Sequence, residues 1–499
     1  MQPVLHIHNL CIHSAKSKLL ELPDLIVNPQ NIHAIIGESG SGKSLTLLAI
    51  MGLLPKNLRV SGEIWLHTPN EKVDLLTISP EKIRNLRGKL ISMVFQEPMS
   101  ALNPQMTCGD QLLESYLVHD SNKAQAKVRI SEKLNAVGLG AIEDRVLQAY
   151  PHQLSGGQRQ RVMIAMASLH NPLLILADEP TTALDSFSRN QVMADFTQLA
   201  KSMNSALIWV SHELDLVAQY AQDITVLRRG EFIEQGTTLQ IMNHPSHDYV
   251  KQLLAAVPRP KQEVKLAQTP SLIIHQIAKV YGKGKWAVNA LKPYTVSLSP
   301  GQTLAVIGTS GSGKSTLAKL LVALELPSGG QITLDDQNLP ENPPTGIQMV
   351  FQDPYASLNR NHSARYAIEE ILKLKHPEYS IAEHTAKALI FLKDVGFDER
   401  LIEAFPDQMS GGQRQRLCIA KALATDPKVL ILDEAVAALD PIIQQQILEL
   451  LTELQLRKQL IYIFITHNLE VAKSLADVWC YLDAGEAKPI PESWGILNQ

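Results

Sequence analysis

Gly37-Glu38-Ser39-Gly40-Ser41-Gly42-Lys43-Ser44 follows the apolar run His33-Ala34-Ile35-Ile36, and Gly308-Thr309-Ser310-Gly311-Ser312-Gly313-Lys314-Ser315 follows Thr303-Leu304-Ala305-Val306-Ile307. A G-x-x-x-x-G-K-S loop between a strand and a helix wraps nucleotide phosphates with backbone N–H groups. Lys43 and Lys314 then reach the β- and γ-phosphates, while the Ser44 and Ser315 hydroxyls take Mg2+. One such match arises by chance in about 1–2 % of chains this long. Two, each placed between a strand and a helix, set chance aside. The helices that follow are read over 45–53 and 317–324.

Working outward, the chain repeats itself. The second glycine loop lies 308 − 37 = 271 positions after the first. Val94-Phe95-Gln96-Glu97-Pro98 returns as Val350-Phe351-Gln352-Asp353-Pro354, 256 positions on. Ser155-Gly156-Gly157-Gln158 returns as Ser410-Gly411-Gly412-Gln413, offset 410 − 155 = 255. Asp178-Glu179 and Ser211-His212 recur as Asp433-Glu434 and Thr466-His467, again at 255. The first copy carries about 15 extra residues, placed within 66–87 and read as a loop insertion of low thermodynamic cost.

Near-continuous apolar runs such as Leu173-Leu174-Ile175-Leu176-Ala177 and Val429-Leu430-Ile431-Leu432 read as strands buried on both faces of a parallel sheet. The alternation of such strands with helical stretches predicts two α/β domains of P-loop type. Their boundaries are read as 1–257 and 271–499, joined by a Pro-bounded charged linker at 258–270. Polar, mostly helical insertions are expected at about 98–153 and 354–408, and an extension unique to the first copy at about 231–257.

Ser155 suits the N-cap of a helix read over 159–170, and Gly156 and Gly157 leave unpaired N–H groups uncovered. Such an end carries about half a positive charge and takes anions, above all phosphate. Each half therefore holds two phosphate-seeking surfaces. Asp178 and Asp433 end buried strands at the carboxyl side, where open α/β sheets bind ligands, and are read as Mg2+ ligands. Glu179 and Glu434 then serve as general bases toward the attacking water. His212 and His467 close further strands in register and join the catalytic set, and Gln96 and Gln352 contact Mg2+ or water.

The totals narrow the partners. A chain of 499 residues exceeds one core. A net charge of −4 and a pI near 6.5 give no basic footprint for nucleic acid. Four cysteines without metal-ligand spacing fit a reducing compartment. No apolar run approaches the roughly 18–20 residues that span a bilayer, and 1–10 lacks the apolar block of a signal peptide. The chain is expected to be intracellular and held at a membrane by other subunits. Of its 16 histidines, His6 and His8 share one strand face with His13 nearby, and His244 and His247 lie in the extension; His6 and His8 are read as solvent-exposed side chains, and none of the five as a metal ligand.

In both halves the glycine loop, glutamine loop, Ser-Gly-Gly-Gln element, Asp-Glu strand end, Ala-Leu-Asp at 183–185 and 438–440, and terminal His occur in one order. That order closely resembles the ATPase subunits of ABC transporters. The resemblance implies two ATP sites, each shared head to tail between halves. One pairs Lys43, Ser44, Gln96, Asp178, Glu179 and His212 with Ser410, Gly411, Gly412 and Gln413. The other pairs Lys314, Ser315, Gln352, Asp433, Glu434 and His467 with Ser155, Gly156, Gly157 and Gln158. It also implies an aromatic residue stacked on adenine: Tyr281 answers in the second half, while His13 stands near that place in the first. Phe95-Gln96-Glu97-Pro98-Met99-Ser100-Ala101-Leu102-Asn103-Pro104 and its counterpart at 351–359 resemble the bacterial importers of peptides, nickel and metal chelates. The implied partners are two membrane permeases and, through them, a periplasmic binding protein, on the cytoplasmic side of the inner membrane. The rival readings are a soluble twin ATPase acting on ribosomes or DNA and the energiser of an exporter.

Overall fold

The computed structural model describes residues 2–490, except 39, 182, 183, 185, 257–268, 283, 310, 340–345 and 438. The chain divides into two compact units, Met1–Ala255 and Ala256–Gln499. The expected linker lies almost wholly outside the described residues.

In the first unit, Ile91–Val94, Leu174–Asp178, Ala206–Val210, Ile32–Gly37 and Asp223–Arg228 run parallel as neighbours in that order. The second unit repeats the order with Ile347–Val350, Val429–Asp433, Ile461–Ile465, Thr303–Gly308 and Val478–Asp483. The central strands are buried because helices cover both faces, which is why their sequences read as unbroken apolar runs. Every parallel strand points its carboxyl end to the same edge, so the loops after Gly37, Val94, Asp178 and Val210 meet there.

An antiparallel layer flanks each parallel core. In the first unit it joins Leu5–His13, Lys18–Val27 and Arg59–His67, and it is continuous with the core through a parallel bridge at Glu231 and Glu21. In the second unit the corresponding sheet of Leu272–Tyr281, Val288–Leu298 and Gly329–Leu334 is separate. The extra residues of the first copy are not a plain loop: they include the helix Pro80–Leu86, capped by the Ser79 hydroxyl. Ile83 and Leu86 bury against the core, which gave the insertion a reason to become a helix.

The helical insertions hold Cys108–Leu117 and Lys123–Ala136 in one unit, and Ala364–Lys375 and Ile381–Asp394 in the other. Their starts are set by side-chain caps at Thr107, Asn122, Ser363 and Ser380. The extension after Gly230 forms Glu231–Thr237, Thr238–Asn243 and Asp248–Ala255. Among the described residues no helix is long and apolar enough to cross a membrane.

One buried group makes this fold acid-sensitive. His33, on the strand that feeds the first glycine loop, is fully buried with Nε2 2.7 Å from Thr225 Oγ1. Burial pushes its imidazole down to about 4, against the opposing charge of Asp223. The unfolded chain therefore takes up this proton first, and stability present at neutral pH is lost as pH falls from 6.5 toward 4. The loss amounts to about 2 kcal/mol by pH 5. Urea unfolding at pH 7 and pH 5 checks it: His33→Gln narrows the difference between the two pH values by that amount.

Candidate active site

Each glycine loop is shaped by what its glycines approach. A Cβ on Gly37, where φ is +151°, would lie 2.0 Å from the Leu227 carbonyl oxygen, and one on Gly308 would lie 2.2 Å from that of Leu482. Gly37→Ala is accordingly expected to lower stability by about 1–3 kcal/mol through forced backbone shift, measured as a fall in Tm. The helices begin at Lys43 and Lys314, earlier than the sequence reading placed them, with Gly42 and Gly313 left-handed at the N-cap.

Lys43 Nζ donates to the carbonyl oxygens of Gly37 and Glu38 at 2.8 and 2.9 Å, and Lys314 Nζ to those of Gly308 and Thr309, both at 2.8 Å. Each ammonium thus lies over the mouth of its own loop. The buried hydroxyls of Ser41 and Ser312 have no hydrogen-bond partner among the described residues. Glu38 faces Arg228 and Arg229 at 3.6 and 3.5 Å, an arrangement the second unit lacks because Thr309 takes its place. Gly40 and Gly311 keep open space around them. Ser39 and Ser310 lie outside the described residues, as do 183, 185 and 438.

The Asp-Glu strand ends come to the same place. Ser44 Oγ donates to Asp178 Oδ1 at 3.0 Å, joining hydroxyl and carboxylate. Burial, then the neighbouring Glu434 charge, pushes Asp433 up to about 6, with Lys314 and Lys319 opposing. Asp178 is raised for the same first reason, opposed by the Ser44 hydrogen bond. Two carboxylates whose charge burial disfavours, one of them bonded to a serine hydroxyl, form an environment that a hard divalent cation would relieve.

Glu179 and Glu434 are non-glycine residues in the left-handed region, at φ +44° and +48°, held there by backbone hydrogen bonds to Val210 and Ile465. That conformation costs roughly 1–2 kcal/mol and turns each carboxylate toward its glutamine and histidine. Gln96 Nε2 donates to Glu179 Oε2 at 2.9 Å, and Gln352 Nε2 to Glu434 Oε2 at 2.7 Å. His212 Nδ1 lies 3.3 Å from Glu179 Oε1, and His467 Nδ1 lies 3.2 Å from Glu434 Oε1. Burial alone would pull His212 down, but the hydrogen bond and charge of Glu179, with Glu213, outweigh it and hold the imidazole raised. Burial would likewise raise Glu434, yet His467 outweighs it and holds the carboxyl low. The two clusters match residue for residue.

One neighbouring arrangement escaped the sequence reading. Behind His212, buried Glu213 is bonded to both Thr181 and Arg189. Positions 255 later hold Val436, Gln444 and Asn468, and Asn468 instead caps the helix Leu469–Leu475. The only signal in sequence was an acid following the histidine in one copy and an amide in the other.

The Ser-Gly-Gly-Gln elements start helices at Gly156 and Gly411, three residues before the predicted start of the first. Ser155 Oγ accepts from Gln158 N–H, and the Gln158 side chain accepts from Ser155 N–H; Ser410 and Gln413 repeat this reciprocal cap. A Cβ on Gly412 would meet Ile443 Cγ2 at 2.4 Å, so only glycine allows that approach. The glutamine side chains are thus engaged in the cap, leaving the glycine N–H groups as the anion-facing donors. Tyr281 ends the strand Leu272–Tyr281, partly exposed, with Lys279 Nζ 5.0 Å over its ring. His13 ends the matching strand of the first unit and is exposed.

The chain is similar to known proteins along most of its length. The family model for the ABC transporter matches residues 20–182 and 291–437. The chain is 37 % identical over 498 residues to the peptidoglycan transport ATP-binding protein YejF of Agrobacterium fabrum, covering 95 % of this chain and 90 % of that protein. It is 36 % identical over 488 residues to the glutathione import ATP-binding protein GsiA of Shigella boydii, covering 89 % and 78 %. An uncharacterized ABC transporter ATP-binding protein YejF of Escherichia coli is 39 % identical over 474 residues, covering 91 % and 88 %. Among solved structures, the archaeal ribosome recycling factor aABCE1, in complex with a ribosomal stalk protein, aligns over 95 % of this chain and 88 % of its own with a TM-score of 0.63. At 19 % identity that likeness speaks to fold alone.

Proposed function

We propose, from the premise that this chain belongs to the ABC transporter family, that it is the ATP-hydrolysing subunit of a bacterial importer of peptides or peptide-like solutes. The observation that carries this reading is the register-matched pair of Gln-Glu-His clusters at two phosphate loops, Gln96–Glu179–His212 and Gln352–Glu434–His467. Relatives named for glutathione and peptidoglycan support a peptide-like cargo over nickel.

The chemistry follows from the residues. On binding ATP, Lys43 and Lys314 exchange loop carbonyls for β- and γ-phosphate oxygens, and the loop N–H groups take the rest. Ser44 with Asp178, and Ser315 with Asp433, would hold Mg2+, with Gln96 and Gln352 at the rim of its shell. Mg2+ when bound neutralises charge on the β- and γ-phosphates. Glu434, kept ionised by His467, accepts a proton from the water as its oxygen bonds to the γ-phosphorus and the bond to the β-phosphate oxygen breaks. ADP and phosphate leave. Glu179 is the corresponding base in the first unit, with His212 beside it.

Each site is completed by the Ser-Gly-Gly-Gln donors of the other half, so ATP draws the halves together and hydrolysis releases them. Tyr281 stacks on adenine in the second half. Two membrane permeases dock after Gln96 and Gln352 and on the helical insertions, placing the chain at the cytoplasmic face of the inner membrane. A periplasmic binding protein delivers cargo. Affinity purification from native membranes tests this: two polytopic membrane proteins are expected with the chain. Recovery of ribosomes or DNA instead would favour the twin-ATPase reading, for which the acidic charge balance offers no footprint.

A further inference from the structure

We propose that His6, His8 and Asp24 form a binding site for a late first-row divalent cation of the zinc class, separate from both nucleotide sites. His6 and His8 lie two apart on the strand Leu5–His13, so their rings leave the same face. Leu5 and Ile7 alternate with them into the core, which places both histidines on the outer face. The neighbouring strand Lys18–Val27 pairs antiparallel in a register that sets Asp24 directly opposite His8. His6 Nε2 is 2.8 Å from Asp24 Oδ1, and His8 Nδ1 is 3.8 Å from the same oxygen. One donor atom from each of the three lies within 4.8 Å of the others.

Those separations suit a shared ion. Two ligands bound at about 2.0–2.2 Å lie roughly 3–4 Å apart, so only side-chain adjustment is needed. All three side chains are partly or largely exposed, with an open approach from solvent. The Asn9 amide nitrogen lies 3.1 Å from His8 Nε2, a contact that helps hold the ring in place. Asn9 reaches there because it is left-handed, φ +49°, at the irregularity of register between His8 and Cys11. Across the other edge, Glu63 pairs with His8 and adds a second carboxylate to the same face. Two imidazoles with a carboxylate suit Zn2+, Ni2+ or Cu2+ far better than Mg2+.

The duplication supplies an internal control. The buried frame Leu5 and Ile7 recurs as Leu272 and Ile274, and the pairing of Leu5 with Val27 recurs as Leu272 with Leu298. At the three donor positions the second unit carries Ile273, His275 and Thr295. The same strand pair thus stands without the donor set, so packing does not require it. Sequence reading grouped His6 and His8 with His13. The register sends His13 to Lys18 instead and brings in Asp24, 16 positions after His8 (24 − 8).

Isothermal titration of ZnCl2 into the full, untagged chain, free of nucleotide and chelator, tests the proposal. A Zn2+ site of micromolar Kd is expected. His8→Ala and Asp24→Asn are each expected to raise that Kd at least tenfold, while His275→Ala leaves it unchanged. ATP hydrolysis and apo Tm are expected to match wild type in His8→Ala, which separates lost binding from lost folding and from the fate of the nucleotide sites. An unaltered Zn2+ isotherm in His6→Ala/His8→Ala, or a wild-type Kd weaker than about 1 mM, overturns it.

Discussion

The Glu179→Gln/Glu434→Gln double variant is expected to bind ATP with near-wild-type affinity and to hydrolyse it at least a hundredfold more slowly. A positioned general base supplies about 10²–10⁴ in rate, and Gln keeps the shape while removing the proton acceptor. Each carboxylate already accepts from a glutamine amide and faces a histidine, at 2.9 and 3.3 Å for Glu179 and at 2.7 and 3.2 Å for Glu434. The exchange of an oxygen for an NH2 therefore disturbs the two contacts but not the phosphate loops, whose lysines and glycines carry the binding. Steady-state phosphate release and equilibrium nucleotide binding, measured together, separate the two effects. Hydrolysis that persists at wild-type rates would remove both glutamates as bases.

Ser410→Arg, introduced where Glu434→Gln has already silenced the second unit's chemistry, is expected to abolish the residual hydrolysis at Lys43. Ser155→Arg in the same background is expected to leave most of it. This contrast follows from the proposed head-to-tail pairing, in which Ser410 serves the site built on Lys43. An arginine at that N-cap also forfeits the hydroxyl that accepts from Gln413, at a local cost of about 1 kcal/mol. The same cost arises at Ser155, so the stability effect cancels in the comparison. The reverse ranking would place each Ser-Gly-Gly-Gln element with the phosphate loop of its own unit.

What the chain disclosed before folding was whatever its chemistry writes into consecutive residues. A phosphate loop needs glycines, a lysine and a hydroxyl at set spacing because backbone N–H groups do the binding, and that need is local. Strands buried on both faces must be apolar throughout, so Leu174–Asp178 and Val429–Asp433 announced themselves, and the repeat at constant offset multiplied each signal. The Ser-Gly-Gly-Gln caps were legible for the same reason, although their helices start at the glycines, because a capping box draws the first turn back to the N-cap.

Tertiary structure alone decided the contacts between distant residues. Gln96 meets Glu179 across 83 positions because neighbouring parallel strands end at one edge. The left-handed turn at Glu179 and Glu434, which aims both carboxylates, leaves no mark in composition. Glu213 finds Thr181 and Arg189, and His8 finds Asp24, only once the chain has folded on itself. The division has one physical cause. Backbone chemistry and burial act residue by residue along the chain and so show in the sequence, whereas side-chain partnership depends on sheet order and register, which form only when remote segments pack together.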